Sequence, residues 1–256
     1  MRRLVTAMEP EELTGLALAA AVEAGAGYAD VRWVREETEG LTVTDDRVDD
    51  LEAEDSSGLG VRVLVDGCWG FAASAVIDPG RAGDLARRAV EVARASAAVG
   101  GEPVRLAPVS PAVAAWSTPL DRDPFAVPLG ERVELLLAAC DAQRSVPGLA
   151  HAKATVDLWR RRTVLWSTEG TRLDQTVTQT GAGIEAAAVG DGDLQQRSWP
   201  NSFRGQFQAG GWKVVEAADL VGNAPRVAAE AVALLQAPLL PEQVTTVLLD
   251  LSLIHI

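Results

Sequence analysis

The stretch Gly58-Leu59-Gly60-Val61-Arg62-Val63-Leu64-Val65-Asp66-Gly67-Cys68-Trp69-Gly70-Phe71-Ala72 decides the fold. Leu59, Val61, Val63 and Val65 recur at every second residue, the period of a strand with one face buried. Asp66-Gly67 supplies the two residues of a tight hairpin turn, because both residue types tolerate positive φ. The apolar pattern then resumes at Trp69-Gly70-Phe71. The segment is therefore a β-hairpin, with Gly58 and Gly60 read as opening its first strand.

Upstream, the same period continues. Leu41 and Val43, then Val48 and Leu51, predict a second hairpin around Asp45-Asp46. Ala29, Val31 and Trp33 share one strand face, with Asp30 and Arg32 on the other. Residues 10–24 switch to helical spacing, with Pro10 suited to a first helical position and Gly25 to a stop. Downstream, residues 79–98 return to helix. Helix, antiparallel strands, helix: this is an α+β arrangement of antiparallel sheets packed with helices.

Six of the thirteen prolines lie between Gly100 and Gly130. Proline removes a backbone donor and fixes φ, which excludes a regular helix or a central strand there. The chain accordingly divides into two subdomains: an N-terminal α+β domain over 1–100, a Pro-rich connector over 101–128, and a central α+β domain over 129–250. In the last, Leu129–Arg144 reads as a helix. Ala150–Leu158 and Thr163–Ser167 read as strands, and Thr171–Val189 as a long returning strand. Gly190–Trp212 reads as an irregular loop, Val214–Gln236 as a helix and Val244–Asp250 as a final strand. The closing residues 251–256, Leu-Ser-Leu-Ile-His-Ile, back-translate with one codon choice to CTGTCTCTTATACACATC. That is a transposon end used in sequencing libraries, so these six are assigned to a sequencing-adapter artefact.

Composition excludes several functions. The net charge of −13 is spread along the chain, which disfavours attraction to nucleic acid or an anionic membrane. No run of apolar residues is long enough for a membrane helix, and no signal core follows Met1-Arg2-Arg3. Cys68 and Cys140 lie far apart and read as small buried hydrophobes in a reducing, cytoplasmic setting.

The candidate motifs each reduce to structure. Gly58-Leu59-Gly60 and Gly181-Ala182-Gly183 lack the third glycine and the strand-to-helix context of a nucleotide loop. The acidic run from Asp45 to Asp55 has Asp50 and Ser56 where a calcium loop needs glycine and glutamate, leaving a hairpin with a solvated acidic face. Arg160-Arg161-Arg162 reads as a solvated strand end or turn. His151 has no partner nearby in sequence and suits a surface or packing role. No GxSxG elbow is present. Trp199, Phe203, Phe207 and Trp212 form the best local candidate for contact with another molecule, with packing beneath a loop as their commoner use. No catalytic, cofactor-binding or metal residue is assigned.

Two blocks carry a resemblance. Gly25-Ala26-Gly27-Tyr28-Ala29-Asp30-Val31-Arg32 and the 58–72 stretch are similar to the N-terminal region of the TldD/PmbA family of metallopeptidases. Ser167-Thr168-Glu169-Gly170 and Val244–Asp250 extend the likeness over most of residues 10–250. The resemblance implies a zinc enzyme that hydrolyses peptide bonds in extended or unfolded polypeptides and pairs with a related subunit, as a homo- or hetero-oligomer. The family's HExxxH helix, whose histidines bind zinc, follows the strand that 244–250 resembles. None of its residues stands in this sequence, and His255 does not complete it. On this reading the chain is the non-catalytic front portion of the enzyme, framing the peptide chamber and subunit interface, with zinc in the full-length parent and none here. The alternative is a partner subunit of the same family that binds peptide or its sister chain without metal.

Overall fold

The computed structural model describes residues 8–76, 78–190, 192–201, 205–238 and 241–247. Helix α1 spans Pro10–Glu23, with proline at its start and Glu11 and Glu12 in the first turn, where the helix dipole favours negative charge. It stops where Gly25 takes a φ of 98°. Strands β1 (Tyr28–Thr44), β2 (Arg47–Val65) and β3 (Cys68–Ser74) form two successive hairpins. At the second turn Asp66 and Gly67 have φ of 50° and 77°, the doubly positive geometry that matches the twist of a two-residue hairpin. Helix α2 (Pro79–Val99) follows, its first turn capped by the Asp78 carboxylate accepting from the Arg81 N–H at 2.8 Å.

The proline-rich stretch carries one short strand, β4 (Val113–Ser117), and a 3-10 turn at Pro124–Ala126. Helix α3 (Leu129–Arg144) leads into the long pair β5 (Leu149–Ser167) and β6 (Arg172–Gly190), then β7 (Asp193–Trp199), β8 (Gln206–Ala209), α4 (Lys213–Ala218) and α5 (Leu220–Leu234). The strands of both halves join into one eight-stranded sheet, ordered β3-β2-β1-β5-β6-β4. The joint is β1 against β5, in antiparallel register from Asp30↔Ser167 to Thr44↔Lys153. The far edge of β6 is covered in series by β4, β8 and β7.

All the helices that contribute to the core pack on one face. Leu13, Ala17 and Ala21 of α1 and Leu85, Ala89 and Val90 of α2 cover Val31, Trp33, Leu59, Val61 and Val63. Leu136 and Cys140 of α3 and Val227 and Ala231 of α5 cover Leu41, Val43, Val156, Leu158 and Ile184 at the other end. Val31, Trp33, Leu41 and Val43 are all odd positions of β1, and residues of one parity share a strand face. Between the two apolar ends runs a charged seam. There Arg132 meets Glu39 at 2.6 Å, while Arg162 meets Glu11 at 2.7 Å and Asp174 at 2.9 Å.

Several expectations are corrected. The two strands expected at 150–158 and 163–167 are one, and Arg160-Arg161-Arg162 lies in its middle instead of at a turn. Alternation splits the run, sending Arg160 to Asp123 and Arg162 to Asp174, while Arg161 meets Glu36. Gly58 and Gly60 lie within β2 and do not open it. The 190–212 segment contains β7 and β8, which are held by main-chain pairing to β6 and so need no apolar alternation. The helix expected over 214–236 is broken at Asp219, whose φ of 42° is left-handed and whose carboxylate accepts from the Gly222 N–H. Residues 244–247 form no strand, and among the described residues no neighbour pairs with them; 248–250 and 251–256 lie outside the described residues. Cys140 is fully buried as expected, but Cys68 is only half-buried.

Candidate functional site: the open face of the sheet

The even positions of β1 and β2 point away from the helices, onto a face that no helix covers among the described residues. At its N-terminal end is a cleft of about 580 Å³. Its geometry follows from register. Pairing Asp30↔Arg62, Arg32↔Gly60 and Val34↔Gly58 sets three side chains of β1 beside one arginine and two glycines of β2. Pairing Arg62↔Phe71 and Gly60↔Ala73 adds the far wall from β3. Gly58 and Gly60 thus form a trough between Arg32 and Val34 on one side and Phe71 and Ala73 on the other.

Asp30 anchors one end. Its residue exposure is only 4%, and burying a carboxylate demands partners. Arg62 supplies them, with Nε and Nη2 each 2.7 Å from Oδ2, and the Tyr28 hydroxyl donates to the same oxygen at 3.2 Å. Arg62 lies over the Trp69 ring at 4.7 Å, and Tyr28 meets that ring edge-on. Burial pushes the Tyr28 hydroxyl above its usual range, and the Asp30 charge adds to it. Burial works to lower the Arg62 guanidinium, but the hydrogen bond and charge of Asp30 outweigh it and hold the group above its ordinary value. Arg32 is held more loosely, with Nε 3.7 Å from Asp30 Oδ1.

A second depression of about 200 Å³ lies further along the same face, lined by Lys153, Thr155, Gly183, Glu185 and Asn201. Here Gly183 lets the chain at Gly205 approach so closely that an added Cβ would stand 2.5 Å from its Cα.

The residues singled out from sequence are dispersed. His151 is exposed and shares a hydrogen bond with Asp45 at 3.1 Å. The Cys140 thiol is pushed up to about 12 by burial, so it stays neutral and inert at ordinary pH. Of the aromatic group, Trp212 is buried and Trp199 donates from its indole N–H to the Ala218 carbonyl at 2.7 Å, whereas Phe207 is exposed over Gly181; Phe203 lies outside the described residues. The acidic hairpin is solvent-facing and contributes ion pairs such as Arg35–Asp55. Among the described residues no three His, Cys, Asp or Glu side chains stand where they could share a metal ion, so these residues do not fit a catalytic metal. No helix among them is long and apolar enough to cross a membrane.

The Asp30–Arg62 pair and the glycine trough escape a reading by motif. The available signal is weak: opposite charges at alternating positions of two strands, with glycines where strand residues are normally branched.

Comparison with known proteins bears on most of the chain. The family model described as PmbA/TldA metallopeptidase domain 1 matches residues 29–97, and that described as PmbA/TldA metallopeptidase central domain matches residues 122–239. A metalloprotease of Methanothermobacter thermautotrophicus is 25% identical over 210 residues, covering 82% of this chain and 44% of its own length. Among solved structures, a Thermotoga maritima protein described as a candidate modulator of a DNA gyrase superposes with a TM-score of 0.67 at 16% identity, covering 90% of this chain and 50% of the other. TldE of Thermococcus kodakarensis superposes with a TM-score of 0.56 at 12% identity, covering 88% and 47%. These two likenesses concern the fold. The chain spans about half the length of the relatives it matches.

Proposed function

The chain belongs to the PmbA/TldD metallopeptidase family, and from that premise we propose that it is the non-catalytic front region of a zinc peptidase, whose open sheet face looks into the peptide chamber. One observation carries this reading. A sheet normally buries one face and covers the other with helices or leaves it wet and polar; here the uncovered face holds a cleft of about 580 Å³, lined by small and apolar residues beside an ion pair whose carboxylate is buried. Such concave, mostly apolar surfaces with a few fixed polar groups suit ligand contact. The metal-binding residues stand elsewhere in the parent protein, and its related subunit, cytoplasmic setting and extended polypeptide substrates belong to the same proposal.

The test is metal content and proteolysis measured on two proteins, the 256-residue chain and the longer natural protein read from its locus. The longer protein holds stoichiometric zinc and degrades an unfolded polypeptide in a chelator-sensitive way, while the 256-residue chain binds no stoichiometric zinc and cleaves nothing. Specific, chelator-sensitive proteolysis by the 256-residue chain overturns the assignment. A longer protein without metal replaces it with the scaffold-subunit role.

A further inference from the structure

Gly58 is unexplained by its own surroundings. Glycine inside a strand is unfavourable, and it normally marks a positive φ, a bulge or a close approach. Gly58 has none of these among the described residues: its φ is not positive, its register with Val34 is regular, and an added Cβ would find only the Ser74 carbonyl oxygen, at an ordinary 3.7 Å. Its neighbour Gly60 is different, because a Cβ there would press on the Phe71 ring at 3.3 Å. Space above Gly58 is therefore kept open with nothing in the described fold filling it.

Beside that space two guanidiniums share the Asp30 carboxylate, as Arg197 and Arg226 share that of Glu230 elsewhere. Arg62 spends two donors on Asp30 at 2.7 Å. Arg32 touches Asp30 only through Nε at 3.7 Å, and among the described residues its two terminal nitrogens make no hydrogen bond. They form a planar fork suited to a carboxylate. Apart from Ser74, the rest of the trough is apolar, walled by Val34, Ala73 and a Phe71 that is 61% exposed.

We propose that the trough over Gly58 binds the terminal carboxylate of a polypeptide whose last residue is apolar. Arg32 receives the carboxylate, and the last side chain lies over Gly58 against Phe71. The site would select chain ends, a specificity that the chamber reading does not contain. The inference rests on that reading only for the polypeptide nature of the ligand.

The test is calorimetric titration of the 256-residue chain with acetyl-Ala-Ala-Phe as free acid, the same peptide as C-terminal amide, and N-acetyl-phenylalanine. The free acid binds about tenfold or more tightly than the amide, roughly the difference one charge-assisted fork makes, and more tightly than N-acetyl-phenylalanine. Arg32→Gln removes the acid-over-amide preference. Gly58→Val abolishes binding of both peptides with an undiminished melting temperature; should that variant misfold, Arg32→Gln alone decides. Equal binding of acid and amide overturns the proposal, as does no binding by the folded chain, and neither result touches the zinc and proteolysis measurements that judge the chamber reading. N-acetyl-phenylalanine binding as well as the tripeptide overturns the polypeptide assignment in favour of a free apolar acid.

Discussion

Leu59 and Gly58 are adjacent, as are Gly70 and Phe71, yet each pair is divided between two environments. Leu59 is 1% exposed in the core beneath α1 and α2, and a Cβ on Gly70 would stand 2.0 Å from the Ala89 carbonyl oxygen of α2. Gly58 and Phe71 face the uncovered side, where the first has free space and the second is exposed. The same two strands thus present a close-packed surface on one side and a vacant trough on the other. Burial, and not residue type, decides what a substitution does.

The comparison breaks if the two faces respond alike. The largest effect is expected at Leu59→Ala, which leaves a cavity and loses transfer energy worth about 3 kcal/mol; urea unfolding measures it, and a loss under about 1 kcal/mol would contradict the packed core. Next comes Gly70→Ala, where the added methyl must push α2 away. Overpacking of this kind costs about 2 kcal/mol, read as a fall in the denaturation midpoint with unchanged slope.

Cys140 tests the other helix-covered end by pH. Its folded pKa of about 12 lies above the 9.0 of a free thiol. Between those values the folded state retains a proton that the unfolded state has released, so stability falls as pH rises through that window. Cys140→Ala should show a shallower alkaline decline, and thiol reagents should modify Cys68 in the native protein and Cys140 only on unfolding. Rapid native labelling of Cys140 would place it outside the core.

On the open face the effects are small. Gly58→Val replaces a flexible strand residue by a branched one and should leave stability unchanged or raise it by up to about 1 kcal/mol. Phe71→Ala should stay within about 0.5 kcal/mol of the native chain. A large loss at either position would mean that this face is packed after all. The sharpest single result is opposite signs for Gly70→Ala and Gly58→Val.

Much of the architecture is legible locally. The turns at Asp45-Asp46 and Asp66-Gly67, the limits of α3 and the alternation of β2 follow from residues in contact along the chain. The errors share one cause. Arg160-Arg161-Arg162 looks like a solvated break until Glu36, Asp123 and Asp174, from distant segments, meet it. Strands β7 and β8 carry little apolar pattern because backbone pairing with β6 holds them. The candidate site was invisible for the same reason: Asp30, Arg32, Gly58, Arg62 and Phe71 come from three strands, and only the register sets them together.

The sequence by itself therefore determined the α+β class, most elements and the family, because periodicity, turn chemistry and a specific strand-turn-strand signature are properties of contiguous residues. Tertiary structure alone decided that both halves share one sheet, that all the core helices gather on one face, and that a trough opens on the other. Those features depend on which strand lies beside which, and on a register in which a slip of one residue would exchange the two faces.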